Sequence, residues 1–435
     1  MEYAQIGKRR PRVDAKQQVT GQIQYVGDLH LPKMLFAKAL FSSEHHAKIV
    51  RLDTSNAERM PGVRGVATWR DVPRLMAGQI IQDQPVFADS KVRHRGEIVA
   101  LVAAETEELA QAGVDAIEVE YERLPAVFDA RDAMKPDAPV IHEEGQGKYC
   151  VGNIILAHGH ECLRLVHNDV AKGFAEAHCI IEETISTCAQ RQTPIEPHAC
   201  MARPEATGAV TIWSNTQVPF MVNAIVAPAL ALPFSKVRII VPAVGGGFGQ
   251  KGTWTIEPNV AVLALKTGRP VRWAMTMYEN LLYGSTKAPH YMTFKLGVKR
   301  DGAITAIHRK QIANAGAYGS ITCLTSGKAT MVGSGAYRIP NQLAEVWSVY
   351  TNKAQGAPFR GFGMSQPTFA IETMIDIAAE RIGMDPLEFR LCNVLRDGDR
   401  CGTGQTMHSV GITACLDKIR QMSGWSVTSG MGRED

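Results

Sequence analysis

The sequence predicts an α+β protein in two parts, with a change of pattern across residues 136–165. Three observations carry that reading. Apolar runs of strand length recur along the chain, helical patterns fall between them, and one central stretch has glycines and histidines but little periodicity.

The elements follow in order. Within residues 1–135, the runs 34–40 (MLFAKAL) and 99–104 (VALVAA) read as strands. Residues 105–116 read as a helix, with acidic side chains in the first turn, where the helix dipole favours negative charge. Residues 118–121 (EVEY) alternate as a strand does, and turn formers at 135–139 close the block. Residues 136–165 read as a linker or surface crossing. From 166 to 435 a second part begins with a short helix over 170–177 and a strand over 179–187. Further strands are expected at 210–213, 237–241, 271–275 and 291–298, with helices at 219–232 and 257–266. The segment 368–382 is an amphipathic helix, and Gly383 supplies its stop.

Composition narrows the function classes. A chain of 435 residues with 45% hydrophobic and 21% charged residues can bury a sizeable core. Its formal charge of +4 is too small to call for nucleic acid or an anionic membrane. No window reaches the roughly 18 uncharged apolar residues of a membrane span. The best candidate, 221–234, is too short and holds Pro228 and Pro233. Residues 1–12 lack the apolar core of a secretory signal, so a cytoplasmic location is expected. Nine scattered cysteines with no Cys-x-x-Cys pair read as reduced thiols, and argue against a local iron–sulfur or zinc site.

The most unusual stretch is 245–252 (GGGFGQKG). Three consecutive glycines after a strand expected over 237–244 allow close backbone approach or positive φ. Gly247, Gly249 and Gly252 satisfy G-x-G-x-x-G, which raises a dinucleotide site. That reading fits poorly, because Arg272, Trp273 and Ala274 stand where an acidic residue should end the next strand. A Walker A loop fails for want of Gly-Lys-Ser/Thr. A tight strand-to-helix turn with no ligand remains open.

The same stretch, followed by 267–271 (TGRPV), resembles the cofactor loop of the molybdenum hydroxylases, the xanthine oxidase and aldehyde oxidoreductase family. Residues 214–217 (SNTQ) are similar to the family's strand ending in glutamine. The segments 314–316 (NAG), 336–341 (AYRIPN), 356–363 (GAPFRGFG) and 384–390 (MDPLEFR) follow in the family's order. Near the start, 12–14 (RVD), 19–21 (VTG), 61–63 (PGV) and 83–86 (DQPV) look like its hammerhead domain. The resemblance implies an N-terminal α/β hammerhead domain followed by the first half of a molybdopterin-binding α+β domain.

It also implies roles. Gln217 would hydrogen-bond an oxo ligand of molybdenum, Gly246 and Gly247 would belong to the cofactor-binding loop, whose Phe248-Gly249 backbone would pack beside the dithiolene, and Arg360 would meet the pterin or its pyrophosphate. Pro358, Phe359, Phe362 and Lys328 would line the substrate pocket. The residues alone allow plainer readings: a strand-ending Gln217, core aromatics at 248 and 362, a surface Arg360, a solvated Lys328 in a Ser-Gly-Lys loop. The Glu196-Pro197-His198 cluster reads as a packed carboxylate before a turn.

Two departures shape the expectation. Gly252 follows Lys251 where xanthine oxidisers carry a purine-reading glutamate, and Lys328 replaces their arginine. The family's general-base glutamate sits in a Gly-x-Gly-Glu context that this sequence lacks, so no catalytic side chain is expected on this chain. The resemblance then implies a large subunit of the split type seen in nicotinate dehydrogenase. Molybdenum-molybdopterin, in its plain or its cytosine dinucleotide form, would be shared with a second molybdopterin-binding subunit that brings the base. A 2Fe-2S subunit and an FAD subunit would carry electrons from a small N-heteroaromatic or aldehyde substrate hydroxylated with water-derived oxygen. A non-catalytic scaffold or truncated chain is the alternative.

Overall fold

A computed structural model describes residues 3–73 and 75–426. Two seven-stranded sheets organise it. The first runs in the order Val237–Ile240, Val210–Ser214, Ala199–Pro204, Val271–Ala274, Leu35–Phe41, Ile98–Ala104, Val63–Thr68. Its central junction is a parallel pairing of Leu35 with Val271 and Phe36 with Arg272. One sheet thus takes strands from both sides of residues 136–165. The strand Ile98–Ala104 is buried along its whole length, which is why its sequence is an unbroken apolar run.

The helices Pro219–Ala229 and Glu257–Thr267 join the core of this sheet. Residues 257–264 of the second helix are all buried, so it shows little amphipathicity; Gly268, at φ 64°, ends it in the left-handed conformation.

The second sheet holds Cys179–Ser186, His290–Val298, Ile304–Gly316 and Asn341–Tyr350 in that order, and Ile154–Ile155 and Cys150–Val151 extend it. Leu163–His167 also pairs with Asn341–Tyr350. The amphipathic helix Ser365–Arg381 packs on this sheet through Ile371, Met374, Ile375 and Ala378. Gly383 follows it at φ 69°, the left-handed stop that its sequence signals.

Residues 136–165 are not a loose crossing. They form three short strands and bury Ile141, His142, Cys150 and Asn153. Asn153 replaces regular ladders here: its side chain binds Ile141 N–H and the Ala133 and Pro139 carbonyls. Side-chain pairing of this kind leaves no periodic sequence trace.

A buried polar network ties this segment to both sheets. Arg93 contacts Glu144 at 2.7 Å, and His142 Nδ1 meets the same carboxylate at 3.0 Å. The Tyr350 hydroxyl donates to Asp83 at 2.7 Å, Gly319 N–H donates to the same carboxylate, and the Tyr318 hydroxyl donates to Glu97. No helix among the described residues is long and apolar enough to cross a membrane.

Candidate active site

The glycine loop leaves its strand early. The strand ends at Ile240 rather than continuing to 244, and the next helix starts at Glu257. Gly245 N–H donates to Glu196 Oε2 at 2.6 Å, and Lys251 Nζ reaches the same oxygen at 2.9 Å. Lys251 is buried, so the pair clamps both ends of the loop on one carboxylate. Burial pushes the Lys251 ammonium down, and Glu196 opposes that by hydrogen bond and charge.

Gln217 lies three residues past the end of its strand at Ser214, in a turn. Its N–H donates to the Lys251 carbonyl at 2.8 Å, and its Oε1 accepts from Gly249 N–H at 3.0 Å. The side chain is exposed, and the amide nitrogen has no partner among the described residues. Two glycines are required here. A Cβ on Gly247 would stand 2.6 Å from Gln217 Oε1, and one on Gly249, at φ 101°, would stand 2.5 Å from the Pro358 carbonyl.

The second loop meets the first. Arg360 N–H donates to the Phe248 carbonyl at 2.9 Å, and Gln192 Nε2 donates to the Pro358 carbonyl at 2.7 Å. Phe248 and Phe362 both hold positive φ, 54° and 50°, a conformation that bulky side chains rarely adopt. Phe248 is 45% exposed and so is not a core aromatic. Arg360 is exposed, and its guanidinium has no ion-pair partner among the described residues. Phe359 lies 5.8 Å beneath Lys287 Nζ.

The structure therefore brings Gln217, Gly246, Gly247, Phe248, Gly249, Pro358 and Arg360 together by hydrogen bonds or close contact across the two loops. Phe362 closes the second loop through its N–H to the Phe359 carbonyl at 2.7 Å.

Lys328 is corrected: it stands not in a loop but exposed on the helix Thr322–Val332. That helix abuts the second loop, because Gly363 packs against the Thr325 carbonyl and the Thr322 hydroxyl donates to the Gly356 carbonyl at 2.8 Å.

A dinucleotide reading of the glycines fails on charge. Glu257 is buried at the first turn of the helix after the loop, where a pyrophosphate would have to sit. Its carboxylate already accepts from Ser214 Oγ and Thr255 N–H, each at 2.7 Å.

Sequence reasoning missed the Glu196–Lys251 clamp and Gln192. A carboxylate and a lysine separated by 55 residues give no local signal.

At the meeting of the loops stand the exposed Phe248, the half-buried Phe362, and, unpartnered among the described residues, the Gln217 amide nitrogen and the Arg360 guanidinium. These donors fit a group with oxo and phosphate oxygens. Residues 156–394 match the family described as molybdopterin cofactor-binding domain, and residues 20–125 match the aldehyde oxidase and xanthine dehydrogenase a/b hammerhead domain.

The chain is 34% identical over 422 residues to the nicotinate dehydrogenase large molybdopterin subunit of Eubacterium barkeri, covering 97% of this chain and 96% of that one. It is 31% identical over 407 residues to the carbon monoxide dehydrogenase large chain of Afipia carboxidovorans, covering 90% and 50%. The solved aldehyde oxidoreductase from Desulfovibrio gigas superposes with a TM-score of 0.88 at 31% identity, covering 96% of this chain and 46% of that one. The chain spans about half the length of most curated relatives it matches.

Fold and site together define a molybdopterin-cofactor-binding α+β protein with an N-terminal hammerhead. The chain belongs to the xanthine dehydrogenase and aldehyde oxidoreductase family of molybdenum hydroxylases.

Proposed function

We propose that this chain is the large molybdopterin-binding subunit of a multi-subunit molybdenum hydroxylase. Its substrate is a small N-heteroaromatic compound or an aldehyde. One observation carries the reading: two loops from distant parts of the chain meet through the backbones of Phe248 and Arg360, with the Gln217 amide nitrogen and the Arg360 guanidinium unpartnered among the described residues. The near full-length match to a large molybdopterin subunit supports the same assignment.

When bound, the molybdenum-molybdopterin group supplies two-electron oxidation with insertion of a water-derived oxygen. Gln217 holds an oxygen of that group through its free amide nitrogen. The Gln217 amide is pre-aimed, because its oxygen is fixed by Gly249 N–H. Arg360 binds phosphate or pterin oxygens as a planar fork. Phe248, Pro358, Phe359 and Phe362 exclude water and flank an aromatic or aldehyde substrate, with Lys328 at the edge. The general base belongs to a second molybdopterin-binding subunit. A 2Fe-2S subunit and an FAD subunit take the electrons, and the cofactor is molybdenum-molybdopterin in its plain or its cytosine dinucleotide form. The nine thiols, none in a disulfide, support a cytoplasmic location.

The test is a tagged purification from the native host, with intact-mass analysis of co-eluting chains and elemental analysis. The expected result is near-stoichiometric molybdenum, with iron–sulfur, flavin and second molybdopterin-binding chains. Gln217→Ala and Arg360→Met should each lower molybdenum content several-fold while leaving the circular-dichroism spectrum of the folded chain unchanged. A wild-type chain that elutes alone and metal-free would sink the proposal.

A further inference from the structure

A cavity of about 410 Å³ is lined in part by Arg191, the neighbour of Gln192, whose amide donates to the Pro358 carbonyl. Its charged side chains are all cationic, Arg191, Arg95 and Lys353, with His45 beside them and no carboxylate among the lining residues. Phe128 and Leu282 supply apolar wall, and the His45 ring meets Phe128 edge-on with centroids 5.0 Å apart.

Arg191 is half-buried, and its guanidinium makes one long contact, 3.4 Å, to the Ser285 carbonyl. Neither Arg191, Arg95 nor Lys353 has an ion-pair partner among the described residues. A nearby buried acid, Glu97, is already engaged by the Tyr318 hydroxyl and by Arg93 N–H at 2.8 Å. Burial alone pushes the Arg191 guanidinium down to about 10, with no carboxylate to offset it.

A guanidinium held partly out of water without a counter-charge is costly, and an oxyanion entering the cavity would relieve that cost by bidentate hydrogen bonding. The cavity volume falls in the range of small-molecule sites, and its apolar walls suit a carbon skeleton. We infer that this cavity binds a small organic carboxylate, its head on Arg191 with Arg95 and Lys353 around it, and its body against Phe128 and Leu282. No lining residue belongs to the two loops that meet at Gln217 and Arg360, and the inference does not depend on the assignment made there.

The test uses the native assembly with benzoate as probe and benzyl alcohol as its uncharged counterpart, read by calorimetry and thermal unfolding. Benzoate should bind saturably and raise the unfolding midpoint, as any ligand selective for the folded state does. Benzyl alcohol should not. Arg191→Gln should weaken benzoate binding by about tenfold or more, the size of a lost charge-assisted hydrogen bond, and Arg191→Lys should lose less. Should Arg191→Gln fail to fold, the double variant Arg95→Gln/Lys353→Gln, at exposed positions, carries the test with a severalfold loss expected. Equal binding of benzyl alcohol, unchanged benzoate affinity in the variants, or no saturable benzoate binding overturns the inference. Because the readout needs no molybdenum, its failure leaves the functional proposal standing.

Discussion

Glu196 shows how one side chain can hold a loop that has almost no side chains of its own. Its Oε2 accepts from Gly245 N–H and from Lys251 Nζ, and Lys251 is only 1% exposed. Glu196→Gln would leave that ammonium buried without a counter-charge. Removing one partner of a buried pair costs about 3–5 kcal/mol, so urea denaturation should show a loss of that order. The double variant Glu196→Gln/Lys251→Met should recover most of it, since no buried charge is left unpaired. If the double variant is as unstable as the single, the clamp is not the cause. At this scale the sequence was partly legible. The glycine octapeptide announced close approach, and the structure shows Gln217 and Pro358 as the groups that approach. The carboxylate that clamps it was legible only as a packed polar cluster, because its partners are remote in sequence.

The helix Thr322–Val332 illustrates why some elements escaped sequence reasoning. It has no N-terminal cap hydrogen bond and little amphipathicity, and Gly327 interrupts it. Its C-terminal end is held from outside: Arg309, fully buried, donates to the Ala329 carbonyl at 3.2 Å and to the Thr330 carbonyl at 3.0 Å. Arg309 in turn sits in the strand Ile304–Gly316, whose alternation it and the buried Gln311 blur. Strand and helix each hide the other's signal. Arg309→Met should leave those carbonyls unsatisfied and cost about 2 kcal/mol, with faster amide exchange confined to the end of the helix. Unchanged exchange there would mean that packing, not the guanidinium, holds the helix. By contrast, Ser365–Arg381, Glu257–Thr267 and Cys179–Ser186 follow the expected elements within a few residues, since their periodicity or stop residues are local.

At the scale of the molecule, the polar network around residues 136–165 should make stability depend on acid. Burial opposes ionisation of Glu144, but the His142 hydrogen bond and the Arg93 charge prevail and hold its carboxyl at about 2. Its folded value lies below its ordinary one, so its contribution is complete above about pH 4.5 and is lost as pH falls toward 2. Asp83 acts in the opposite sense, because burial raises its carboxyl. The comparison of wild type with Glu144→Gln therefore isolates the effect: the stability gap between them should narrow between about pH 4.5 and 2. A gap independent of pH would contradict the assignment.

The parallel pairing of Leu35–Phe41 with Val271–Ala274 also sets a timetable for synthesis. One edge of the earlier strand finds its neighbour only after roughly 230 further residues have been made. At about 5–20 residues per second, that strand waits roughly ten seconds to three-quarters of a minute with a row of backbone donors and acceptors uncovered. A ribosome that pauses before residue 271 prolongs that wait, and a chain cut there never ends it. The N-terminal hammerhead is thus a nascent-chain hazard until the glycine loop and the strand beyond it have left the ribosome.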